Sequence, residues 1–222
     1  MVPRLVLRDV WFRYPGSEWV LRGVSAEFVG GRAYVIEGIN GAGKTTLLLV
    51  MAGLLEPQRG EVLLDDEPVA GDRPSVRRRF GILFQSPDYM LFNPTVYEEI
   101  AYGPRQLVRG NDKIRQAVRS ALRAVGLPEK YLVRATHALS YGEKKLVALA
   151  SIISYGPDVL LLDEPCSNLS PAFVERVCSI VEDVVGRGGL AVITTQPSAG
   201  CCGKPSLALT GGALRPLPPR DL

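Results

Sequence analysis

A chain of 222 residues with 46% hydrophobic and 22% charged positions has the composition of an ordinary globular protein with one sizeable core. Its formal net charge of +3 is too small to indicate a nucleic acid or an anionic lipid surface as a partner. The longest apolar run, residues 47–55, is far shorter than the roughly 20 residues of a membrane-spanning helix, so we expect any membrane contact to go through a partner.

Strands dominate the predicted structure of the first 85 residues. Residues 4–28 alternate apolar and polar positions around a turn at YPGSE, which predicts antiparallel strands. The run AYVIEG, residues 33–38, predicts a short buried strand before a Gly-rich turn and an apolar helix. The runs GEVLLDD and GILFQ predict two further strands.

Residues 94–155 contain no strand-like run and are predicted to be mainly helical. After them, DVLLLDEP predicts a fully apolar strand, and a helix from Pro171, the strand LAVITT and the segment SLALTGG follow. Continuous apolar strands separated by helices are typical of a parallel sheet that is covered on both faces. The sequence therefore predicts a single α/β domain over residues 1–222, with a helical block inserted between strands of a mostly parallel sheet.

The four cysteines show no metal-binding pattern in the sequence. Cys166, Cys178, Cys201 and Cys202 have no CxxC spacing, and the chain has a single histidine, His137, which disfavours a Cys/His zinc site. We expect the cysteines to be cytosolic thiols, with the adjacent pair as a neutral local feature. His137 is expected at the surface.

The segment GINGAGKTT, residues 38–46, matches the phosphate-binding pattern G-x-x-x-x-G-K-[ST], with a predicted strand before it and a predicted helix after it. Successive backbone N–H groups can then wrap a phosphate at a helix N-terminus. The pattern assigns Lys44 to the β- and γ-phosphates and Thr45 to Mg²⁺. No N-K-x-D element for guanine occurs, which favours ATP. The nucleotide-binding residues predicted from this segment are Gly38, Asn40, Gly41, Ala42, Gly43, Lys44, Thr45 and Thr46.

Two carboxylates follow the predicted strand VLLLD. Asp163 and Glu164 would lie at the carboxyl edge of the sheet, beside the phosphate-binding loop. Asp163 is predicted to hold Mg²⁺ through water, and Glu164 is predicted to polarise the attacking water. Acidic residues after a strand usually belong to a solvent-exposed turn without a catalytic role. Here the phosphate-binding loop predicted beside them favours the catalytic interpretation.

The segment LSYGEKK, residues 139–145, predicts the start of a helix. Ser140 as N-cap with Glu143 three residues later is a capping box. The same helix N-terminus is a second candidate anion site, at which the Gly142 N–H is free to approach a phosphate.

In this order and spacing, GINGAGKTT, LSYGEKK and VLLLDEP make the chain resemble, over nearly its whole length, the ATP-binding subunits of ABC transporters. The resemblance implies a P-loop NTPase fold of the ABC type with an N-terminal antiparallel β subdomain. It implies a nucleotide-binding core, residues 1–85 and 156–222, and a helical subdomain, residues 86–155, that carries the signature motif LSYGE. It also implies a head-to-tail dimer, in which Ser140 and Gly142 of one subunit face the ATP bound by the other.

Further positions match the same family. Tyr14 falls where the family has the aromatic residue that stacks on adenine, the alternative being a strand residue packed on the sheet. Gln85 ends a predicted strand where the family's glutamine touches Mg²⁺ and the attacking water. The stretch SPDYMLFNPTVYEEIAYGP resembles the ATPases of energy-coupling-factor and cobalt-type importers, which take up vitamins and transition-metal ions. This resemblance implies that Tyr89, Leu91 and Phe92 dock to a transmembrane scaffold or permease subunit; otherwise they pack into the helical subdomain.

The sequence departs from the family pattern near the site of chemistry. Tyr141 replaces a glycine of the signature motif, and its side chain is expected to point away from phosphate. Ser170 replaces an aspartate that reaches across the dimer, and as an N-cap it preserves the next helix. Gln196 stands at the switch histidine; an amide can donate a hydrogen bond to the γ-phosphate but cannot become a cation. With Glu164, Gln85 and Gln196 as catalytic residues, we expect slow or asymmetric hydrolysis.

The resemblance implies a cytoplasmic protein held on the inner face of the cell membrane by partner subunits, as a homodimer or as a heterodimer with a second ABC ATPase. One alternative is a non-catalytic, regulatory cassette that pairs with a more active ATPase. A soluble ABC protein that works on DNA or RNA would carry long coiled-coil insertions or a second cassette, and the near-neutral charge predicts no nucleic-acid partner. A P-loop kinase would need a lid and would have no reason to contain LSYGE.

Overall fold

The strands that the structure describes form two β-sheets. In this computed structural model, residues 2–71, 73–197, 199 and 201–218 are described. The strands are β1 (Arg4–Phe12), β2 (Leu21–Val29), β3 (Arg32–Glu37), β4 (Arg59–Leu64), β5 (Glu67–Pro68), β6 (Phe80–Leu83), β7 (Val159–Asp163), β8 (Leu190–Thr195), β9 (Leu207–Thr210) and β10 (Ala213–Pro216). The first sheet is antiparallel, with the order β2-β1-β4-β5. It confirms the antiparallel N-terminal strands that the alternation of residues 4–28 predicted.

The second sheet has the order β10-β9-β3-β8-β7-β6. Its neighbours pair in parallel from β9 through β6, and only the edge pair β10–β9 is antiparallel. Every residue of β7 and β8 is buried, which explains their uninterrupted apolar sequences. Because the strands β3, β6, β7 and β8 run in one direction, their carboxyl ends share one edge of the sheet, and the segments that follow them converge there.

Helices cover the parallel sheet. They are α1 (Lys44–Met51), α2 (Pro74–Arg77), α3 (Val96–Leu107), α4 (Asn111–Ala124), α5 (Tyr141–Ile153) and α6 (Pro171–Gly186). The helices α3, α4 and α5 pack on one another, and α5 also contacts β6. This part of the chain is mainly helical, as predicted. Among its described residues, β-type pairing is limited to one isolated bridge between Thr95 and Ala135. None of the described helices combines the length and apolarity that a membrane span requires.

Two apolar clusters lie on opposite faces of the parallel sheet. Along β7, Leu160 and Leu162 belong to the cluster shared with α3, α4, α5 and α6. The alternate residues Val159 and Leu161 belong to the cluster shared with the antiparallel sheet and α1. A strand with both faces buried therefore divides its side chains between the two halves of the core.

The loop before α3 exposes two large apolar side chains. Tyr89 is 87% exposed and Phe92 is 66% exposed, and the Phe92 ring meets that of Tyr102 edge to face at 4.9 Å. Leu91, which was expected on the same surface, instead packs against the core of the helical region. His137 is exposed, as expected.

The prediction of four free thiols is wrong for this structure. Cys166 is bonded to Cys201 and Cys178 to Cys202, with Cα separations of 5.7 and 4.7 Å. Cys201 is also buried within the helical core cluster, so the adjacent pair is not a neutral feature. The bonded residues are 35 and 24 positions apart in sequence, and only the fold brings the connection between β8 and β9 against α6 and the loop after β7.

Candidate active site

The loop of residues 38–43 joins β3 to α1 at the carboxyl edge of the parallel sheet. Gly41 and Gly43 have φ angles of 79° and 97°, in the left-handed region that favours glycine. A Cβ atom on Gly43 would also lie 2.9 Å from a methyl group of Val20. Gly43 is the N-cap of α1 and has no side chain to cap the helix, so the N–H groups of the first turn are available to an anion.

Lys44 lies at the floor of this loop and is 6% exposed. Its ammonium group donates to the carbonyl oxygens of Gly38 and Ile39 at 2.7 and 3.1 Å. Its third partner is the Glu164 carboxylate, with Nζ 3.1 Å from Oε1. The cation that the sequence assigned to phosphate is thus part of a buried ion pair with the predicted catalytic carboxylate.

Asp163 is fixed by two hydroxyl groups. Thr45 Oγ1 donates to Asp163 Oδ2 at 2.5 Å, and Thr194 Oγ1 donates to Asp163 Oδ1 at 2.6 Å. Hydroxyl and carboxylate oxygens are ligands that Mg²⁺ prefers in nucleotide sites. Because Thr45 and Asp163 are side by side, at the start of α1 and the end of β7, this donor set fits the predicted metal.

Glu164 has partners on both carboxylate oxygens and is 7% exposed. Lys44 occupies Oε1, whereas the amide groups of Gln196 and Gln85 donate to Oε2 at 2.9 and 3.3 Å. Gln196 follows β8 and Gln85 lies shortly after β6, so the ends of three parallel strands meet at this carboxylate. The three residues that the sequence predicted to be catalytic are therefore in direct contact.

The backbone of Glu164 is in a conformation that non-glycine residues seldom adopt, with φ of 45°. Its N–H donates to Thr194 Oγ1 at 3.2 Å, and its carbonyl accepts from Lys145 Nζ at 2.9 Å. The same ammonium lies 3.3 Å from Ser167 O and 3.2 Å from Ser167 Oγ. Thr194 and Lys145 thus hold a strained turn that aims the Glu164 carboxylate at Lys44.

Sequence reasoning missed both of these supporting residues. Lys145 is 1% exposed, and burial lowers its pKa to about 8, although the charges of Glu164 and Asp163 act in the opposite direction. The available signal was a lysine at a position of α5 whose helical neighbours are apolar. Thr194 gave a weaker signal, a hydroxyl at the end of the apolar run of β8.

A cleft of about 430 Å³ lies over these groups. It is lined by Tyr14, Val20, Asn40, Gly41, Gly43, Lys44, Thr45, Thr46, Gln85 and Glu164. Tyr14 is 40% exposed at its margin, where its hydroxyl lies 3.2 Å from Thr46 Oγ1 and its ring packs edge to face on Phe12. Ala42 lines a neighbouring cleft, and Gly38 contributes the carbonyl that accepts from Lys44.

The signature segment forms the capping box that its sequence predicted. Ser140 Oγ accepts from the Glu143 N–H, and the Glu143 carboxylate accepts from the Ser140 N–H. Tyr141 donates its hydroxyl to the Gln85 carbonyl at 3.0 Å, so the start of α5 touches the segment that follows β6. Within the described part of the chain, Ser140 and Gly142 lie outside the lining of the cleft over Lys44.

Ser170 occupies the N-cap position of α6, and Pro171 is the first helical residue, as expected. The Ser170 side chain makes no capping hydrogen bond, so the helix is preserved at this position without a side-chain cap. The fixed φ of Pro171 favours a helix start without such a bond.

Similarity to known proteins extends over most of the chain. Residues 21–167 match the family described as ABC transporter. This stretch contains the phosphate-binding loop, the signature segment and the Asp163–Glu164 pair. The chain belongs to the ABC transporter family. The protein is therefore an ABC-type ATPase, and the cleft over Lys44 is its candidate site for ATP.

Two curated relatives are energy-coupling factor transporter ATP-binding proteins. EcfA of Methanocaldococcus jannaschii is 38% identical over 192 residues, which make up 85% of this ABC ATPase and 68% of the relative. EcfA2 of Methanospirillum hungatei is 39% identical over 199 residues, 88% of this chain and 50% of the relative. The chain thus spans about two thirds of the length of the first relative and half that of the second.

Solved structures of ABC proteins have the same fold. The structure of cbiO1 from Clostridium perfringens, part of the ABC transporter complex cbiONQ, matches with a TM-score of 0.81 at 30% identity, covering 95% of this chain and 86% of that chain. The dimeric cassette MJ0796 matches with a TM-score of 0.84 at 23% identity, which supports the fold alone. The predicted ABC-type α/β fold is confirmed.

Proposed function

We propose that this ABC ATPase powers a membrane importer of the energy-coupling-factor type, which takes up a vitamin or a transition-metal ion. The observation that carries the proposal is the position of Glu164, held between Lys44 and Gln196 beneath a cleft built on the phosphate-binding loop. The names of EcfA and cbiO1 support the transport part, since both describe subunits of membrane transporters.

In this proposal the N–H groups at the start of α1, residues 43–46, and the Lys44 ammonium bind the phosphates of ATP. Tyr14, which lines the outer part of the cleft, stacks on adenine. Thr45, Asp163 and Gln85 would hold Mg²⁺. When bound, Mg²⁺ neutralises charge on the β- and γ-phosphates.

The ion pair between Lys44 and Glu164 suggests how binding prepares hydrolysis. The phosphate groups of ATP compete with the Glu164 carboxylate for the Lys44 ammonium, because both are anions within reach of one buried cation. Once Lys44 turns to phosphate, Glu164 Oε1 is free to accept a hydrogen bond from the attacking water and polarise it. Gln196 then donates its amide either to Glu164, as in this structure, or to the γ-phosphate.

Two chains pair head to tail in the working assembly, so that Ser140 and Gly142 of one subunit face the ATP of its partner. The second subunit is another copy or a related ABC ATPase. The assembly lies on the cytoplasmic face of the membrane and is held there by a transmembrane scaffold, with no role for nucleic acid. Within each chain we propose the division into a core of residues 1–85 and 156–222 and a helical subdomain of residues 86–155.

A slower or regulatory cassette is the second candidate, and two features of the site favour it. Gln196 and Gln85 both donate to Glu164 Oε2, so the polarising carboxylate carries two neutral donors on that oxygen. A neutral amide at position 196 also lacks the positive charge that a protonated imidazole brings to the transferring phosphate. Both features favour slow turnover in this chain.

The binding step is tested by Lys44→Ala. The phosphates lose their main cation, and calorimetry with Mg·ATP should show binding abolished while the wild type binds. Lys113→Ala serves as a matched control, because Lys113 is exposed on α4 and the substitution is chemically the same. Equal affinity of Lys44→Ala and Lys113→Ala would overturn the proposed nucleotide site.

A further inference from the structure

All four cysteines of the chain lie in one cluster beside the active site. Cys166 is two residues after Glu164, Cys178 is in α6, and Cys201 and Cys202 lie in the connection that follows Gln196. Besides the two bonded pairs, Cys166 Sγ lies 3.9 Å from Cys202 Sγ, and Cys201 Sγ lies 3.7 Å from Cys202 Sγ. The two disulfides are therefore in contact and form one group of four sulfur atoms from three separate segments.

We propose that these four cysteines, in their reduced form, bind one thiophilic divalent cation, with Zn²⁺ as the best fit. A tetrahedral zinc site with four thiolates has Zn–S bonds of about 2.3 Å, which places its sulfur atoms about 3.8 Å apart. Two of the four distances between sulfur atoms of different disulfides already have this value, Cys166–Cys202 at 3.9 Å and Cys201–Cys202 at 3.7 Å. The sulfur atoms of Cys166, Cys178 and Cys202 also lie within 4.8 Å of one another, close enough to share an ion.

The surroundings of the cluster suit such a site. Cys201 is buried, whereas Cys166, Cys178 and Cys202 are partly exposed, so a cation can enter from the surface and still be shielded on one side. Four thiolates leave no position open for water, which makes this a structural site rather than a catalytic one. The proposal rests on the proposed function in one respect: an ATPase that works in a reducing cytoplasm holds clustered cysteines more often for metal binding or chemistry than as permanent disulfides.

The disulfide form must be reduced before the cluster can bind a metal ion. A thiol reductant reduces the two disulfides to four thiols, which takes up four electrons and four protons. Binding of Zn²⁺ then releases one proton from each thiol that becomes a thiolate ligand. No ligand other than the four sulfur atoms is required.

The position of the site indicates what it would do. A cation bound by Cys166, Cys201 and Cys202 connects the turn after Glu164 to the segment after Gln196. These are the two segments whose side chains meet at the Glu164 carboxylate. The cation would therefore fix the distance between the carboxylate that polarises water and the amide that senses phosphate.

The test uses the full chain, reduced anaerobically with a phosphine and titrated with Co²⁺ as a spectroscopic probe. We expect one Co²⁺ per chain, with the visible bands of tetrahedral cobalt and sulfur-to-cobalt charge transfer, and loss of both when Zn²⁺ is added. Cys178→Ser and Cys201→Ser should each lose the four-thiolate spectrum. Lys44→Ala should keep it while losing ATP binding, so a failure of the nucleotide site is distinguishable from a failure of the metal site.

If a serine variant does not fold, native mass spectrometry of the wild type measures the number of zinc ions bound per reduced chain instead. One zinc ion per reduced chain, absent after the thiols are alkylated, supports the site. A reduced, folded wild type without a tetrahedral cobalt spectrum would overturn the proposal. So would a spectrum that all four single cysteine-to-serine variants retain, since the ion would then be bound elsewhere.

Discussion

At the scale of single residues, the Glu164 carboxylate is the group that Lys44, Gln196 and Gln85 all contact. Its oxygens contact a cation from α1 and amides from the ends of two strands. Gln196 donates to this carboxylate, at the position where the sequence resemblance leads us to expect a histidine. An amide can supply that neutral hydrogen bond, but it cannot also supply charge to a phosphate that gains charge in the transition state.

Gln196→His should raise the rate of ATP hydrolysis. A charge-assisted contact at the transition state contributes ~2–4 kcal/mol, so a gain of up to roughly a hundredfold in turnover is expected, with little change in ATP affinity. Phosphate release is the measurement, with Gln116→His on the exposed side of α4 as the matched control. Turnover equal to that of the control would mean that Gln196 already performs the task of the histidine.

Lys145 makes a different contribution, through the backbone. Its buried ammonium donates a hydrogen bond to the Glu164 carbonyl. Within the part of the chain that the structure describes, its other hydrogen-bond partners are oxygen atoms of Ser167, and none of its partners is a carboxylate. Burial of this charge is unfavourable, which is why its pKa falls to about 8. The residue therefore fixes the catalytic turn at a cost in stability near neutral pH.

This cost predicts how stability depends on pH. Between pH of about 8 and the ordinary lysine value of 10.5, the unfolded chain keeps a proton that the folded chain has released. The contribution of Lys145 to the free energy of unfolding therefore rises with pH through this window. Urea unfolding should show wild type gaining stability relative to Lys145→Met between about pH 8 and 10, while Lys113→Met shows no such trend. A pH-independent difference would mean that Lys145 keeps an ordinary pKa in the folded protein.

At the scale of elements, α5 joins the helical region to the active site. Its first residue bonds the backbone of Gln85 through the Tyr141 hydroxyl, and Lys145, one turn later, bonds the turn after β7. The loop before α3, with exposed Tyr89 and Phe92, follows Gln85 directly. A membrane subunit that docks on this loop would act on a segment already linked to Glu164 through Gln85.

The double variant Tyr89→Ser/Phe92→Ser should leave ATP binding and folding intact and prevent copurification with a membrane scaffold. The reason is that two large apolar side chains in contact with solvent are better buried against a partner. Val133→Ser is the control, because Val133 is 84% exposed and apolar but lies outside this loop. Copurification of the double variant at the wild-type level would exclude this loop as the docking surface.

The sequence predicted the elements whose signal is local. The apolar run of β7, the capping box at Ser140 and the glycines of the phosphate-binding loop each have a pattern within a few residues. Lys145 and the cysteine cluster could not be predicted in the same way, because their partners lie on elements distant in sequence. For Leu91 the sequence left two alternatives, docking to a partner or packing into the helical subdomain, because an apolar loop residue does not indicate which side of the loop it occupies; the structure shows the second.

At the scale of the whole molecule, the parallel sheet is packed between two apolar clusters, one on each face. The parallel arrangement of its strands brings together α1, the end of β7 and the segments after β6 and β8 at one edge. The start of α5, with Ser140 and Gly142, is the part of the site that the chain would present to a partner. In the proposed head-to-tail pair, each chain would complete the nucleotide site of the other.

Single-turnover hydrolysis of Mg·ATP by wild type and Glu164→Gln tests the central claim most directly. With ATP limiting and the protein in excess, the wild type should convert bound ATP to ADP, however slowly. Glu164→Gln should bind ATP at least as tightly, since Lys44 loses a competing carboxylate, and should hydrolyse it at least roughly a hundredfold more slowly. Equal hydrolysis rates in the two proteins, or loss of ATP binding in Glu164→Gln, would contradict the role of Glu164 as the carboxylate that polarises water.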